Sequence, residues 1–471
     1  MNDARLLSSV VQSMLHVFKK PGYDFIIVLT IFLTAFSSYY AALFRHPLMY
    51  GIDGAYYLIQ VESILSTGMM KYPDPPFSFY LFSALTLLVG KDTLAVKLCV
   101  VFFCSLTAVP SYLLVKRMTK SRVAAAVGAF SVAFSPGLIS MSGEFLKNAV
   151  GIPFLLFFIY FLYRLLSGDE NVFTEIVTMS FFLLTGLTHI LDAGVALLFF
   201  ILQMLSSFFS GKPKTRFLKF SLLFLVIVFS VGALLYFSFK GYAIDIAKGG
   251  VFIQQFIQML EFHPIVDARD PGGVRALSYV FVVVGLSLAY VNHRNGSWIN
   301  FSFLTASSIM LLFLSFPVMP PQWGQRFLLM VFIPWFIIAG SLVGYVEKTF
   351  VQVLVAIVLV TFIIYFQSIP AFMRIGPVIS PLEYEDLLSM RVFIPANSTV
   401  VSPRHPWRYW VEYILNSNSV GSPQELVREG KTVYLIFDKN SQYPGVPTGL
   451  LLYEGRVLKL YVLRPRNLLP R

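Results

Sequence analysis

Charge is scarce in this chain of 471 residues: only 13% are Asp, Glu, Lys or Arg. A soluble globular domain carries about 25%, so the deficit excludes an ordinary cytoplasmic enzyme. Acids are scarcer than bases, 24 against 36, for a net charge of +12. In a soluble protein that excess would point to a polyanion partner. Here it fits the Lys and Arg enrichment of cytoplasmic membrane-protein loops, and no nucleic-acid partner is expected. Cysteine is limited to Cys99 and Cys104, inside one apolar run and without metal-ligand spacing. They read as two buried small hydrophobes. A fixed-period repeat is missing, which excludes a repeat architecture.

Apolar and aromatic residues are abundant, 57% and 16%, with 47 Phe and 24 Tyr. That excludes disorder and low complexity. Apolar stretches long enough to cross a hydrocarbon layer of roughly 30 Å recur near 25–44, 94–115, 123–141, 149–166, 173–190, 193–210, 217–239, 276–291, 299–316, 327–346 and 350–369. An apolar piece at 77–89 follows Pro75-Pro76 and reads as an interfacial or re-entrant helix. The expected fold class is an α-helical polytopic membrane protein of about eleven spans. Lys19-Lys20 before the first run, with no small-residue cleavage site, indicates a retained anchor.

Orientation follows the basic residues. With the N-terminus inside, Lys116, Arg117, Lys120 and Arg122, then Lys212, Lys214, Arg216 and Lys219, lie in short cytoplasmic loops. Longer loops at 45–78 and 240–275 fall outside, and so does the C-terminus. The expected division is a membrane domain over 1–375 and a soluble, extracytoplasmic α/β tail over 380–471. In the tail, strands are expected at 399–402, 432–438, 450–453 and 457–464. Helices are expected at 406–415 and 423–428, each opened by proline.

An ionisable side chain at membrane depth is costly and therefore a functional candidate. Asp53, Glu144, Lys147, His189, Asp192, Glu261, His263, Asp267, Arg269 and Arg326 all fall at the outer ends of spans or in outer loops, as a polar chamber on one face requires. Asp53 precedes a helical stretch, where it either caps the helix or acts chemically, and Gly51 and Gly54 beside it permit close approach of a ligand. Glu144 and Lys147 stand at i,i+3, as a local ion pair or as a second acid with a phosphate-facing cation. His189 is read as a sugar or metal contact, or as a satisfied interface histidine. Arg326 suits phosphate through its guanidinium fork, or snorkels to water. Glu261, His263, Asp267 and Arg269 lie in a loop able to cover the chamber.

Three elements together resemble the GT-C superfamily of integral-membrane glycosyltransferases. The first is Ile52-Asp53-Gly54-Ala55-Tyr56-Tyr57 in a long first external loop. The second is Gly68 with Pro75-Pro76 before an apolar helix, similar to the protein O-mannosyltransferase and aminoarabinose transferase branch, although the lysine often preceding those prolines is Asp74 here. The third is Gln325-Arg326-Phe327 at the mouth of a late span, similar to archaeal relatives. No motif of the oligosaccharyltransferase tail domain is found. The resemblance implies a prokaryotic or archaeal plasma-membrane enzyme. It would transfer a sugar from a polyprenyl (dolichyl) phosphate donor to a glycan, lipid or protein acceptor on the extracytoplasmic face. Asp53 would be the general base with Glu144 as second acid, and Arg326, Lys147 and His189 would face the lipid phosphate. The superfamily has members with and without a divalent metal, so Mg or Mn stays open. Two other classes fit a many-span chain. A transporter or flippase would put binding groups at mid-membrane and often show duplicated halves, neither of which is visible. An O-antigen-type polymerase or ligase would want paired arginines in two large outer loops, and only 269–275 partly offers that.

Overall fold

The apolar runs become helices, and the residues that interrupt their hydrogen-bond ladders become the joints. The computed structural model describes residues 22–169, 171–209, 215–263, 273–402, 407–420, 432–439 and 449–463. Among these, nine helices are long and apolar enough to span a bilayer: Tyr23–Leu43, Asp92–Thr119, Arg122–Glu144, Leu146–Leu166, Ile190–Phe209, Thr215–Ser238, Val274–Arg294, Gln322–Gly344 and Thr349–Arg374. Every expected span is helical. Val172–Thr188 and Trp298–Leu314, at 17 residues each, reach only about 26 Å. The piece at 77–89 is the 13-residue helix Phe77–Val89. The protein is thus an α-helical polytopic membrane protein with a small α/β tail.

One expectation fails for a clear reason. Residues 240–275 read as a loop, yet Lys240–Gln258 is a helix of 19 residues. Its apolar residues, among them Ile246 and Phe252, recur at helical spacing, and that amphipathic pattern is masked by the glycines and lysines between them.

Contacts divide the chain into two units. One comprises Met1–Ala42, Tyr72–Ser78 and Leu98–Arg374; the other comprises Leu43–Lys71, Phe79–Lys97 and Ile375–Arg471. In the first, helices pack on small residues, as they must where lipid supplies no hydrophobic drive. A Cβ added at Gly128 would meet Val115 at 2.7 Å, and one at Gly340 would meet it at 2.6 Å. These glycines let Ala108–Thr119, Arg122–Ala133 and Phe332–Gly344 close around one valine. Cys99 and Cys104 are free and buried, as expected.

The second unit holds a five-stranded sheet in the order Asn418–Val420, Thr399–Val401, Val433–Asp438, Leu458–Leu463, Leu450–Glu454. The first three strands run parallel and the last three antiparallel. Helix Pro381–Met390 opens with a capping box in which Ser380 and Glu383 bond each other's backbone. Helix Arg408–Leu415 matches the expected 406–415 within the described residues, whereas 423–428 lies outside them. Trp407 and Trp410 are fully buried, so they are core side chains.

Candidate functional site

Asp53 belongs to the second unit, and the chain leading to it is held from several sides. Lys97, 3% exposed, donates from Nζ to the carbonyls of Leu43 at 2.9 Å and His46 at 2.6 Å. The same ammonium lies 4.8 Å from the ring centre of Tyr50, a cation–π contact. Arg45 donates to the carbonyl of Ile375, and Gly51 N donates to Gly376 O at 3.2 Å. Gly51 makes this turn at φ +75°, a backbone state that glycine adopts without strain. Burial, and then the Lys97 charge, push the pKa of His46 below its ordinary value.

Asp53 then takes the N-cap position of helix Gly54–Thr67, half-buried, without a side-chain capping hydrogen bond. Capping therefore does not account for an acid at this position. The helix is fixed instead by its buried face, including Tyr57, Leu58, Gln60 and Val61. In the sequence Lys97 sits inside an apolar run, and a lone cation at such a place is the signal that marks it.

In the first unit a cavity of about 550 Å³ brings Arg326 and His189 together with Lys248. Its remaining wall is mostly apolar, with Leu191, Leu198, Phe252, Phe313, Trp323 and Phe327 among the lining residues. Arg326 comes from the short helix Pro321–Leu328, and its guanidinium lies 5.9 Å from the Trp323 ring centre. Trp323 is fixed by Nε1 donating to Gln255 at 3.1 Å. An apolar slot with three basic side chains suits an amphiphilic anion: hydrocarbon against the walls and negative charge at the bases. Lys248 carries no site signal in the sequence, where 240–275 reads as a loop.

The other candidates sit elsewhere. Lys147 grips both oxygens of Asp74 at 2.6 Å, with side chains only 14% and 10% exposed. The expected helical spacing between Glu144 and Lys147 does not hold. One helix ends at Glu144 and the next begins at Leu146, because Phe145 leaves helical geometry at φ −126°, ψ 64°. Glu144 itself is exposed. Glu261 is an exposed residue of the two-residue strand Glu261–Phe262, paired antiparallel with Val318–Met319. His263 ties that ribbon together: its N donates to Pro317 O at 2.6 Å, and its Nε2 lies 3.2 Å from Met319 O. Asp267 and Arg269 lie outside the described residues. Among the described residues no group of three or more His, Cys, Asp or Glu is placed to hold a metal ion.

The fold has solved counterparts. An oligosaccharyltransferase from Archaeoglobus fulgidus in the apo form matches with a TM-score of 0.61 and 14% identity, over 87% of this chain and 69% of that one. ArnT from Cupriavidus metallidurans, bound to undecaprenyl phosphate, matches with a TM-score of 0.55 and 11% identity, over 94% and 99%. AglB from Archaeoglobus fulgidus, in complex with an inhibitory peptide and a dolichol-phosphate, matches with a TM-score of 0.50 and 15% identity, over 87% and 69%. At these identities the likeness establishes the fold alone, one shared with these solved membrane proteins. No curated protein matches by sequence. A family model described as 6-pyruvoyl-tetrahydropterin synthase related domain, membrane protein, matches residues 72–375.

Proposed function

This chain belongs to the membrane-protein family described as 6-pyruvoyl-tetrahydropterin synthase related, and we propose that within it the chain is a glycosyltransferase using a polyprenyl-phosphate-linked sugar. The observation that carries the reading is the cavity of the first unit, where apolar walls end at Arg326, Lys248 and His189. Its chemistry matches the lipid phosphates that two of the structural neighbours bind. The donor's isoprenoid lies along the aromatic and aliphatic wall. The guanidinium of Arg326 takes phosphate oxygens in its planar fork.

The reaction joins an acceptor oxygen or nitrogen to the anomeric carbon and breaks the bond from that carbon to the phosphate. Asp53 accepts the proton that the acceptor loses. Negative charge grows on the departing phosphate and is met by Arg326, Lys248 and His189. Support for Asp53 comes from its half-buried side chain, which does not cap its helix. The reading puts this chemistry, and the tail from about residue 380, on the extracytoplasmic face of the plasma membrane. Lys147, which we expected at the phosphate, is instead assigned to holding Asp74, and Glu144 stays as an accessory acid near the acceptor.

Donor binding tests this directly. Undecaprenyl phosphate added to the purified protein should change the fluorescence of Trp323, which lines the cavity. The Arg326→Ala variant should bind it at least ten-fold more weakly, since a charge-assisted bond contributes about 1.5–3 kcal/mol. Equal binding by wild type and variant would remove Arg326 from the donor site.

A further inference from the structure

A buried amide and carboxylate behind the cavity decide which nitrogen His189 presents to it. Asp192, in the first turn of helix Ile190–Phe209, is fully buried. Asn148 Nδ2 lies 3.1 Å from Asp192 Oδ1 and 3.0 Å from His189 Nδ1. His189 Nδ1 and Asp192 Oδ1 are themselves 3.6 Å apart, beyond a direct hydrogen bond. The amide is thus the bridge between them, and its orientation is set by the acid. Reversed, it would press its carbonyl oxygen against a carboxylate oxygen. Held with nitrogen toward Asp192, it gives one hydrogen to Oδ1 and the other to His189 Nδ1. A ring nitrogen that accepts carries no proton. The proton of His189 then resides on Nε2, the nitrogen left for a cavity ligand.

We propose that Asn148 and Asp192 are positioning residues that fix His189 as an Nε2–H donor to a phosphate oxygen of the lipid-linked donor. The identity of that ligand rests on the reading in the preceding subsection; the proton's location does not. In this role His189 is a hydrogen-bond donor rather than a base, which leaves proton acceptance to Asp53. Two further features fit an acid held in place by packing. Asp192 Oδ2 has no hydrogen-bond partner among the described residues, so Oδ1 and the amide carry its polar contact. And a Cβ at residue 151 would collide with Asp192 Oδ2, so glycine there gives the carboxylate its room. A glycine facing a buried, half-satisfied carboxylate has a reason to be there if the carboxylate orients something else.

The test is nitrogen NMR of the full chain, 15N-labelled at its six histidines, in lipid nanodiscs. The His189 signal is assigned by its loss in His189→Gln and, independently, by its connection to Ile190 in doubly labelled protein. The expected spectrum shows Nδ1 unprotonated and Nε2 protonated, with Nε2 shifting when undecaprenyl phosphate is added. In Asp192→Asn, and in Gly151→Ala, which alters no polar group, the second tautomer should appear. Undecaprenyl phosphate should then bind about ten-fold more weakly, the loss expected for one such hydrogen bond. Wild-type protein with its proton on Nδ1, or an Nε2 signal indifferent to the lipid, overturns the proposal. An Asp192→Asn variant that keeps the wild-type tautomer and affinity overturns it as well. The tautomer is read with no sugar transferred, so a failure of sugar transfer would count against the preceding reading and not against this one.

Discussion

Lys147 and Asp74 show how a single side chain can be drawn away from the role its neighbours in sequence suggest. Both are nearly buried, and a buried charge left alone costs far more than a buried pair contributes. Lys147→Met strands the Asp74 carboxylate and should lower stability by about 3–5 kcal/mol, while Lys147→Met with Asp74→Leu should recover most of it. Thermal unfolding of the three proteins in one detergent checks this; a double variant as unstable as the single would show that the pair is not acting as a unit. At this scale the sequence marked Asp53, His189 and Arg326 as polar residues beside membrane spans. It did not reveal Lys97 or Lys248. A cation buried in an apolar run looks the same on paper whether it holds a loop or faces lipid, and Lys248 lay in a stretch rich in glycine.

Elements are governed by what interrupts them. The apolar runs announced every span, but the break at Phe145 falls inside a run that reads as continuous, and the helical period of Lys240–Gln258 is masked by the glycines and Lys248 within it. In the tail, strand Asn418–Val420 went unread because Asn-Ser-Val is too short and polar to signal a strand. Its neighbours, rich in Val, Leu and Tyr, were legible. Asp386 links two tail elements: its carboxylate, on helix Pro381–Met390, accepts from the backbone N–H of Val457 at 2.8 Å, Leu458 at 2.9 Å and Arg456 at 3.0 Å. Burial works to raise its pKa, but these three donors and the Tyr453 hydroxyl outweigh it and hold the group below the ordinary 3.8. A depressed carboxylate contributes stability that is complete above its unfolded value and lost as pH falls through its folded one. The amides of Val457 and Leu458 should therefore keep their protection from hydrogen exchange at pH 5 and lose it progressively below 3.8. Asp386→Asn should cost about 1–3 kcal/mol at neutral pH, from donors left unpaired, and should flatten that acid dependence. Unchanged protection in the variant would detach Asp386 from the tail's stability.

At the scale of the whole molecule, hydropathy carried the helical membrane architecture, because a bilayer leaves a chain few ways to satisfy its backbone. The grouping of residues 43–71 and 79–97 with the tail was not legible. It depends on pairings such as Gly51 with Gly376, between residues more than three hundred positions apart in sequence. The central claim is that this fold moves a sugar from a lipid phosphate to an acceptor with Asp53 as the base. The most direct measurement incubates purified protein with radiolabelled polyprenyl-phosphate sugars and scores label released or transferred. Wild type should consume at least one donor, and Asp53→Asn should bind that donor with unchanged affinity yet transfer its sugar at least about a hundred-fold more slowly, as loss of a general base requires. Transfer at the wild-type rate by Asp53→Asn, or wild-type protein inert toward every donor, would contradict the account.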